Sequence, residues 1–221
     1  MVASQIHLVR HGEVFNPDRV LYGRLPDFRL SELGEKMAEA AAADLTSRGR
    51  PMARLVSSPL QRTQESAAPI AAAFDLPVDI DERLIEPTNH FEGKRMRGAG
   101  GALRDARNWP ALTNPLRPSW GEPFRAIAVR MLAAVYDAWQ SVPGEDTDAP
   151  GGDAILVSHQ LPIWMVHAAL TGARYAHDPR RRRCALSSIT TLERHGDRFV
   201  EVGYTNPAAP LLATATDVGA V

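Results

Sequence analysis

Short apolar runs alternate with longer amphipathic stretches along most of this chain, and that alternation constrains the fold more than any other feature. Ile6-His7-Leu8-Val9, Ala53-Arg54-Leu55-Val56-Ser57, Val78-Asp79-Ile80 and Ala154-Ile155-Leu156-Val157-Ser158 are too short for helices and are bounded by turn residues, so each is expected to be a strand. Between them, Leu33, Met37, Ala41 and Leu45 recur every four residues behind the candidate N-cap Ser31, and Gly49 and Pro51 stop that helix. Ser58-Pro59-Leu60-Gln61 reads as a capping box with proline at the first helical position. The helix it opens would turn Leu60, Thr63, Ala67, Ile70 and Phe74 inward, with a kink or break near Ala68 imposed by Pro69. Phe124, Ile127, Ala128, Met131, Leu132, Val135 and Trp139 make the clearest amphipathic helix. A short apolar helix from Leu161 ends at Gly172. Residues 189–193 and 199–204 flank His195-Gly196-Asp197 as a terminal hairpin. The whole is an α/β pattern.

A length of 221 residues suits one domain carrying an insertion. We place a single domain at 1–206. Residues 94–123 dissolve into Gly, Pro, Arg and Asn and read as an insertion or lid; 145–152 is a polar loop; 207–221 is a C-terminal tail expected to fray. With Lys+Arg 25 against Asp+Glu 26, the chain lacks the basic excess of a phosphate-backbone binder, so no nucleic-acid partner is expected. The single cysteine, Cys184, makes neither an intrachain disulfide nor a cysteine zinc site and reads as a buried thiol. No apolar run reaches the ~18 residues of a membrane helix, and residues 1–12 lack the pattern of a signal peptide, so a cytoplasmic protein with no membrane partner is expected.

The chemistry is expected where strands end. Two of them end in histidine, at His11 and His159, and a third ends at Ser57-Ser58 before a helix carrying Arg62. Ligands of open parallel sheets bind beyond the carboxyl ends of the strands. If the three strands are neighbours, one crevice collects two histidines, Arg10, Arg62 and a helix N-terminus. Guanidinium forks and helix N-termini both favour a tetrahedral oxyanion. Each member alone has a plainer reading: a strand-end histidine is most often a hydrogen-bonded structural group, the arginines suit surface ion pairs, and Ser58 suits a helix cap. Their joint occurrence favours a phosphate site with a histidine nucleophile.

Leu8-Val9-Arg10-His11-Gly12-Glu13 followed by Asn16, then Leu30-Ser31-Glu32-Leu33-Gly34, Ser57-Ser58-Pro59-Leu60-Gln61-Arg62-Thr63 and Val157-Ser158-His159, resemble in order the motifs of the histidine phosphatase superfamily, the phosphoglycerate-mutase-like proteins. The resemblance implies a three-layer α/β sandwich, with a mostly parallel central sheet and helices on both faces. It implies that His11 attacks phosphorus and becomes a phosphohistidine, and that Arg10, Arg62 and His159 hold the phosphoryl oxygens. Asn16 and the backbone near Gly12 would complete the pocket, with Tyr22 and Gly23 beside the substrate. Glu86 falls where the family places the acid for the leaving oxygen; Glu92 is the fallback, because the string after Glu86 is shortened and has Phe91 where the family often has tryptophan. Gln160-Leu161-Pro162 follows His159 where mutases read Gly-Asn, which favours a phosphatase, and the Gln160 N–H remains available for a phosphoryl oxygen.

The expected partner is a small phosphorylated substrate, with no cofactor and no metal. The alternatives are a mutase-type phosphotransferase, a phosphate-binding module without turnover, and a metallohydrolase built on His11, Glu13 and His159. The arginine run 180–183 reads as a solvated face or a homodimer contact, with steering of an anionic substrate as the functional alternative. Trp109, Trp120 and Phe91 read as packing within the lid, or as the lining of a pocket for an apolar substrate tail.

Overall fold

The computed structural model describes residues 2–96, 98, 101–114, 119–142 and 151–217. The expected polar loop at 145–152, part of the 94–123 segment and the last residues of the tail lie largely outside that set.

Six strands form one sheet: β1 (Gln5–Arg10), β2 (Met52–Ser57), β3 (Val78–Ile80), β4 (Asp153–Ser158), β5 (Ile189–His195) and β6 (Arg198–Thr205), in spatial order β3-β2-β4-β1-β5-β6. Contacts β2–β3, β2–β4 and β1–β4 are parallel, and the terminal hairpin adds two antiparallel strands at the β1 edge. The register pairs Arg10 with Ser158 and Ser57 with Val157, so β1, β2 and β4 end side by side. The residues that follow them are brought to one place for that reason.

Alternation along the strands fills two cores. Leu8, Ala154 and Leu156 face helices α3 (Phe124–Gln140) and α4 (Gln160–Thr171), among Ile127, Met131, Val135 and Met165. Val9, Ile155 and Val157 face helices α1 (Glu32–Ser47) and α2 (Gln61–Phe74), among Ala41, Leu45, Ala67 and Ile70. The result is a sheet with helices on both faces, as expected. Every residue of β4 is buried, which is why that run reads as continuously apolar. Among the described residues, no helix is long and apolar enough to cross a membrane.

Three local expectations are corrected. The helix carrying Arg62 starts at Gln61, with Leu60 as an N-cap that makes no side-chain bond; the Ser58 hydroxyl is instead 2.8 Å from His159 Nε2, a tertiary bond that outcompetes the capping box. The same helix runs through Pro69 to Phe74 without a break. The tail does not fray over its described length. Leu211, Leu212 and Ala215 pack against Met37, Leu186 and Ala208, and the backbone N–H of Thr216 donates to Glu13 Oε1 at 2.5 Å.

In the 94–123 segment the described residues form 3-10 turns at Ala102–Arg104 and Ala106–Leu112, and Gly121 makes an isolated antiparallel bridge with Asn89. Phe91 and Trp120 pack there with Leu21 and Ala102, while Trp109 is exposed. Phe91 and Trp120 thus follow the packing reading.

Candidate active site

His11 sits one residue past β1 and is fully buried. Its Nδ1 lies 2.7 Å from the Gly12 carbonyl, which can only accept, so Nδ1 carries the proton and Nε2 keeps its lone pair. Burial, then the charges of Arg62 and Arg10, holds the imidazole pKa well below its ordinary value. A neutral ring with one bare nitrogen is what a nucleophile requires. The loop has no room for a side chain at position 12: a Cβ on Gly12 would lie 2.3 Å from the Gly34 carbonyl, and one on Gly34 would lie 2.0 Å from the Glu13 carbonyl. Two glycines thus let the start of α1 press on the strand-end loop. The Gly12 N–H is not available to a ligand, because it donates to Ser66 Oγ at 3.1 Å; the carbonyl that orients His11 is this residue's visible contribution.

His159 follows β4 and caps α4. Its ring centroid is 5.2 Å from that of His11. Ser58 Oγ holds Nε2, and Nδ1 lies 3.5 Å from Glu86 Oε2. Burial, with Arg62 as the next cause, keeps this imidazole neutral as well.

Glu86 is fully buried beside His159, and burial pushes its carboxyl up to about 7 against the opposing guanidinium charges of Arg62, Arg182, Arg10 and Arg130. Such a group exchanges a proton near neutral pH. Glu92 lies behind Gly23 and is engaged otherwise: its Oε1 accepts from the backbone N–H groups of Arg24 and Asn89 and closes a loop.

Arg62 enters from the first turn of α2. Its Nη2 donates to the Gly23 carbonyl at 2.7 Å, and its guanidinium lies over the Tyr22 ring at 4.7 Å. Tyr22 is buried, edge-on to His11, and burial pushes its phenol up to about 12. Arg10 is fully buried and grips Asp217 and the Cys184 carbonyl. Gln160 is the first residue of α4, so its N–H belongs to the first-turn donors that no helix carbonyl takes. Its side chain accepts from Arg182. Asn16 bonds the Val20 backbone through its amide, with Nδ2 donating to the Val20 carbonyl and Oδ1 accepting from the Val20 N–H.

Six buried polar atoms in this pocket have no hydrogen-bond partner among the described residues: His11 Nε2, Arg10 Nε, Arg62 Nε, His159 Nδ1 and both Glu86 oxygens. Native interiors rarely leave buried polar atoms unpaired. They comprise one bare histidine nitrogen, N–H donors on Arg10 and Arg62, a nitrogen of His159 and the Glu86 acid, a set matched to an oxyanion. Donor atoms of His11, Glu86 and His159 also lie within 4.8 Å of one another, a set that could hold a divalent ion. Arg10 and Arg62, whose charges depress the pKa values of both histidines, oppose a dication there and favour an anion. Glu13 is not in that set; its oxygens accept from Ser31 and Thr216.

Beside the Arg10 side of the site opens a cavity of ≈ 1060 Å³ lined by Arg19, Arg95, Arg180, Arg182, Arg183 and Asp217, among others. Of the arginine run, Arg180 pairs with Asp178 and Arg183 with Glu201, while Arg182 bonds Gln160 and His177.

Known proteins share this arrangement of chain. A Mycobacterium tuberculosis protein carrying the name uncharacterized protein Rv0525 is 52% identical over 206 residues, covering 93% of this chain and 98% of its own. The probable phosphoglycerate mutase GpmB of Yersinia enterocolitica is 31% identical over 193 residues, 84% of each chain. The mycobacterial glucosyl-3-phosphoglycerate phosphatase Rv2419c, solved with inorganic phosphate, matches with a TM-score of 0.71 and 28% identity over 93% of this chain and 99% of that one. The family model of the histidine phosphatase superfamily (branch 1) matches residues 6–207, and the chain belongs to that superfamily.

Proposed function

We propose that the protein is a phosphomonoester hydrolase that works through a phosphohistidine on His11 and needs no metal. The observation that carries this reading is the convergence of buried, unpartnered polar atoms on His11 Nε2. In the first step Nε2 attacks phosphorus, the N–P bond forms and the P–O bond to the alcohol breaks. Arg10, Arg62 and His159 hold the three outer oxygens and stabilise charge spread over them. Glu86, protonated through burial, gives its proton to the leaving oxygen. In the second step water attacks phosphorus, Glu86 takes its proton, and the N–P bond breaks to release phosphate. One ester and one water become one alcohol and one phosphate. The Gln160 N–H supplies a further donor at the helix start, and Tyr22 and Gly23 shape the wall through Arg62.

The similarity to a probable phosphoglycerate mutase keeps a second reading, transfer of the phosphoryl group within a substrate. Gln160 in place of the glycine-asparagine pair expected of mutases speaks for hydrolysis. A panel of small phosphomonoesters assayed with EDTA and with vanadate tests both. Free phosphate formed despite EDTA and suppressed by vanadate is expected. An isomeric phosphoester without free phosphate would establish the mutase, and loss of turnover in EDTA would establish a metal requirement.

A further inference from the structure

The C-terminal tail reaches the candidate site through Asp217. Its Oδ2 accepts from Arg10 Nη1 at 2.8 Å, and its Oδ1 from Nη2 at 2.5 Å. The remaining hydrogen of Nη1 goes to the Cys184 carbonyl at 2.7 Å. A guanidinium has five N–H groups in a rigid plane. Asp217 takes the end of the fork and Cys184 takes its outer flank. What is left is the side edge, formed by Nε–H and the other Nη2 hydrogen, and Nε is buried with no partner among the described residues. The carboxylate therefore takes one edge of Arg10 and leaves the Nε edge bare among the described residues. Because the guanidinium is planar, fixing one edge fixes the direction of the other.

The carboxylate is itself held in place. Thr216 is tied to Glu13, two residues after His11, and Glu13 also accepts from Ser31 Oγ, which caps α1. Leu211, Leu212 and Ala215 seat the preceding turn on Met37 and Leu186. Burial alone would lower the Arg10 pKa; the Asp217 carboxylate outweighs that and raises it.

We infer that Asp217 is a positioning residue: from the C-terminal tail it aims the free edge of Arg10 at the phosphoryl group. The inference rests on the hydrolase reading above and adds to it a requirement for the tail. It is tested on the full-length protein by kcat/KM for the best ester of the panel, and by titration calorimetry with inorganic phosphate. Asp217→Ala is expected to lower kcat/KM and weaken phosphate binding by about tenfold, the lower end of what loss of an orienting partner brings. Asp217→Glu should recover most of both. When Arg10→Lys is already present, removing the fork, Asp217→Ala should change neither by more than about twofold, since a residue acting through Arg10 has nothing left to aim. Tighter phosphate binding in Asp217→Ala would overturn the inference and make the carboxylate a tethered competitor. Equal losses in both backgrounds would make the contact merely structural, and wild-type behaviour of Asp217→Ala would make it idle; either outcome also overturns it. These results leave hydrolysis by the parent protein intact. Failure of the hydrolase reading shows instead as a parent protein that releases no phosphate from any ester of the panel.

Discussion

Strand β1 and the residue that follows it supply two buried histidines, His7 and His11, and the two ends of the sheet treat them in opposite ways. At the amino end, His7 Nδ1 lies 3.1 Å from Thr191 Oγ1, and Nε2 lies 3.1 Å from Asp153 Oδ2. Asp153 also accepts two bonds from Arg50. Burial alone would raise the Asp153 pKa, but the bonds from Arg50 and His7 hold it down to about 2. Both histidine nitrogens and both carboxylate oxygens are satisfied, so the cluster is complete without a ligand. At the carboxyl end, His11 has one nitrogen satisfied and one bare, and its neighbours share the deficit. Burial and a low pKa are common to both histidines. What separates structure from chemistry here is unsatisfied polarity, since an incomplete polar cluster costs stability that only a ligand can return.

Breaking the two clusters should therefore give opposite phenotypes. The largest effect is expected from His11→Ala, with turnover lower by about 10⁶, the scale seen when a nucleophile is removed. Its melting temperature should stay the same or rise, because a bare polar atom leaves the core; a large drop would show His11 to be structural.

Glu86→Gln comes next. Loss of a general acid is worth about 10²–10⁴, expected in full on alkyl esters and nearly absent on aryl esters, whose leaving oxygen needs no proton. Equal losses on both would remove Glu86 from that role. The pH profile carries the same sign. Glu86 donates only while protonated, so alkyl-ester kcat/KM should fall as pH rises through about 7, and the fall should vanish in Glu86→Gln. The His11 pKa is depressed, so the acid limb should lie well below the ordinary histidine value.

At the amino end, Asp153→Ala should cost about 1–3 kcal/mol, because the buried His7 Nε2 loses its partner. It should leave kcat/KM within about twofold under conditions where the protein is folded. Denaturation and kinetics on the same preparation check both halves. The smallest effect is expected from Ser58→Ala. It frees the His159 ring without removing it and should lower kcat by about tenfold, with KM nearly unchanged.

The floor of the site is legible in the sequence because its parts are local. Apolar runs set the strands, and the residue after each strand is delivered to the ligand edge by topology alone, which places His11, His159 and Arg62 together. Glu86 needed the family resemblance, since nothing in Leu84-Ile85-Glu86 marks it as buried. The partners that tune the floor are long-range and left no local signal: Ser66 under Gly12, Arg182 acting on Glu86, and Asp217 on Arg10. Ser58 did leave a signal, and it pointed the wrong way. Its spacing satisfied a capping box, and a bond to a histidine about a hundred residues away took its place.

Rapid-quench labelling with a ³²P-phosphoester tests the phosphohistidine most directly. The expected result is acid-labile, base-stable label on His11 that appears before free phosphate and is absent from His11→Ala. Free phosphate released at the full rate with no label on the protein, or label on any other residue, would contradict it.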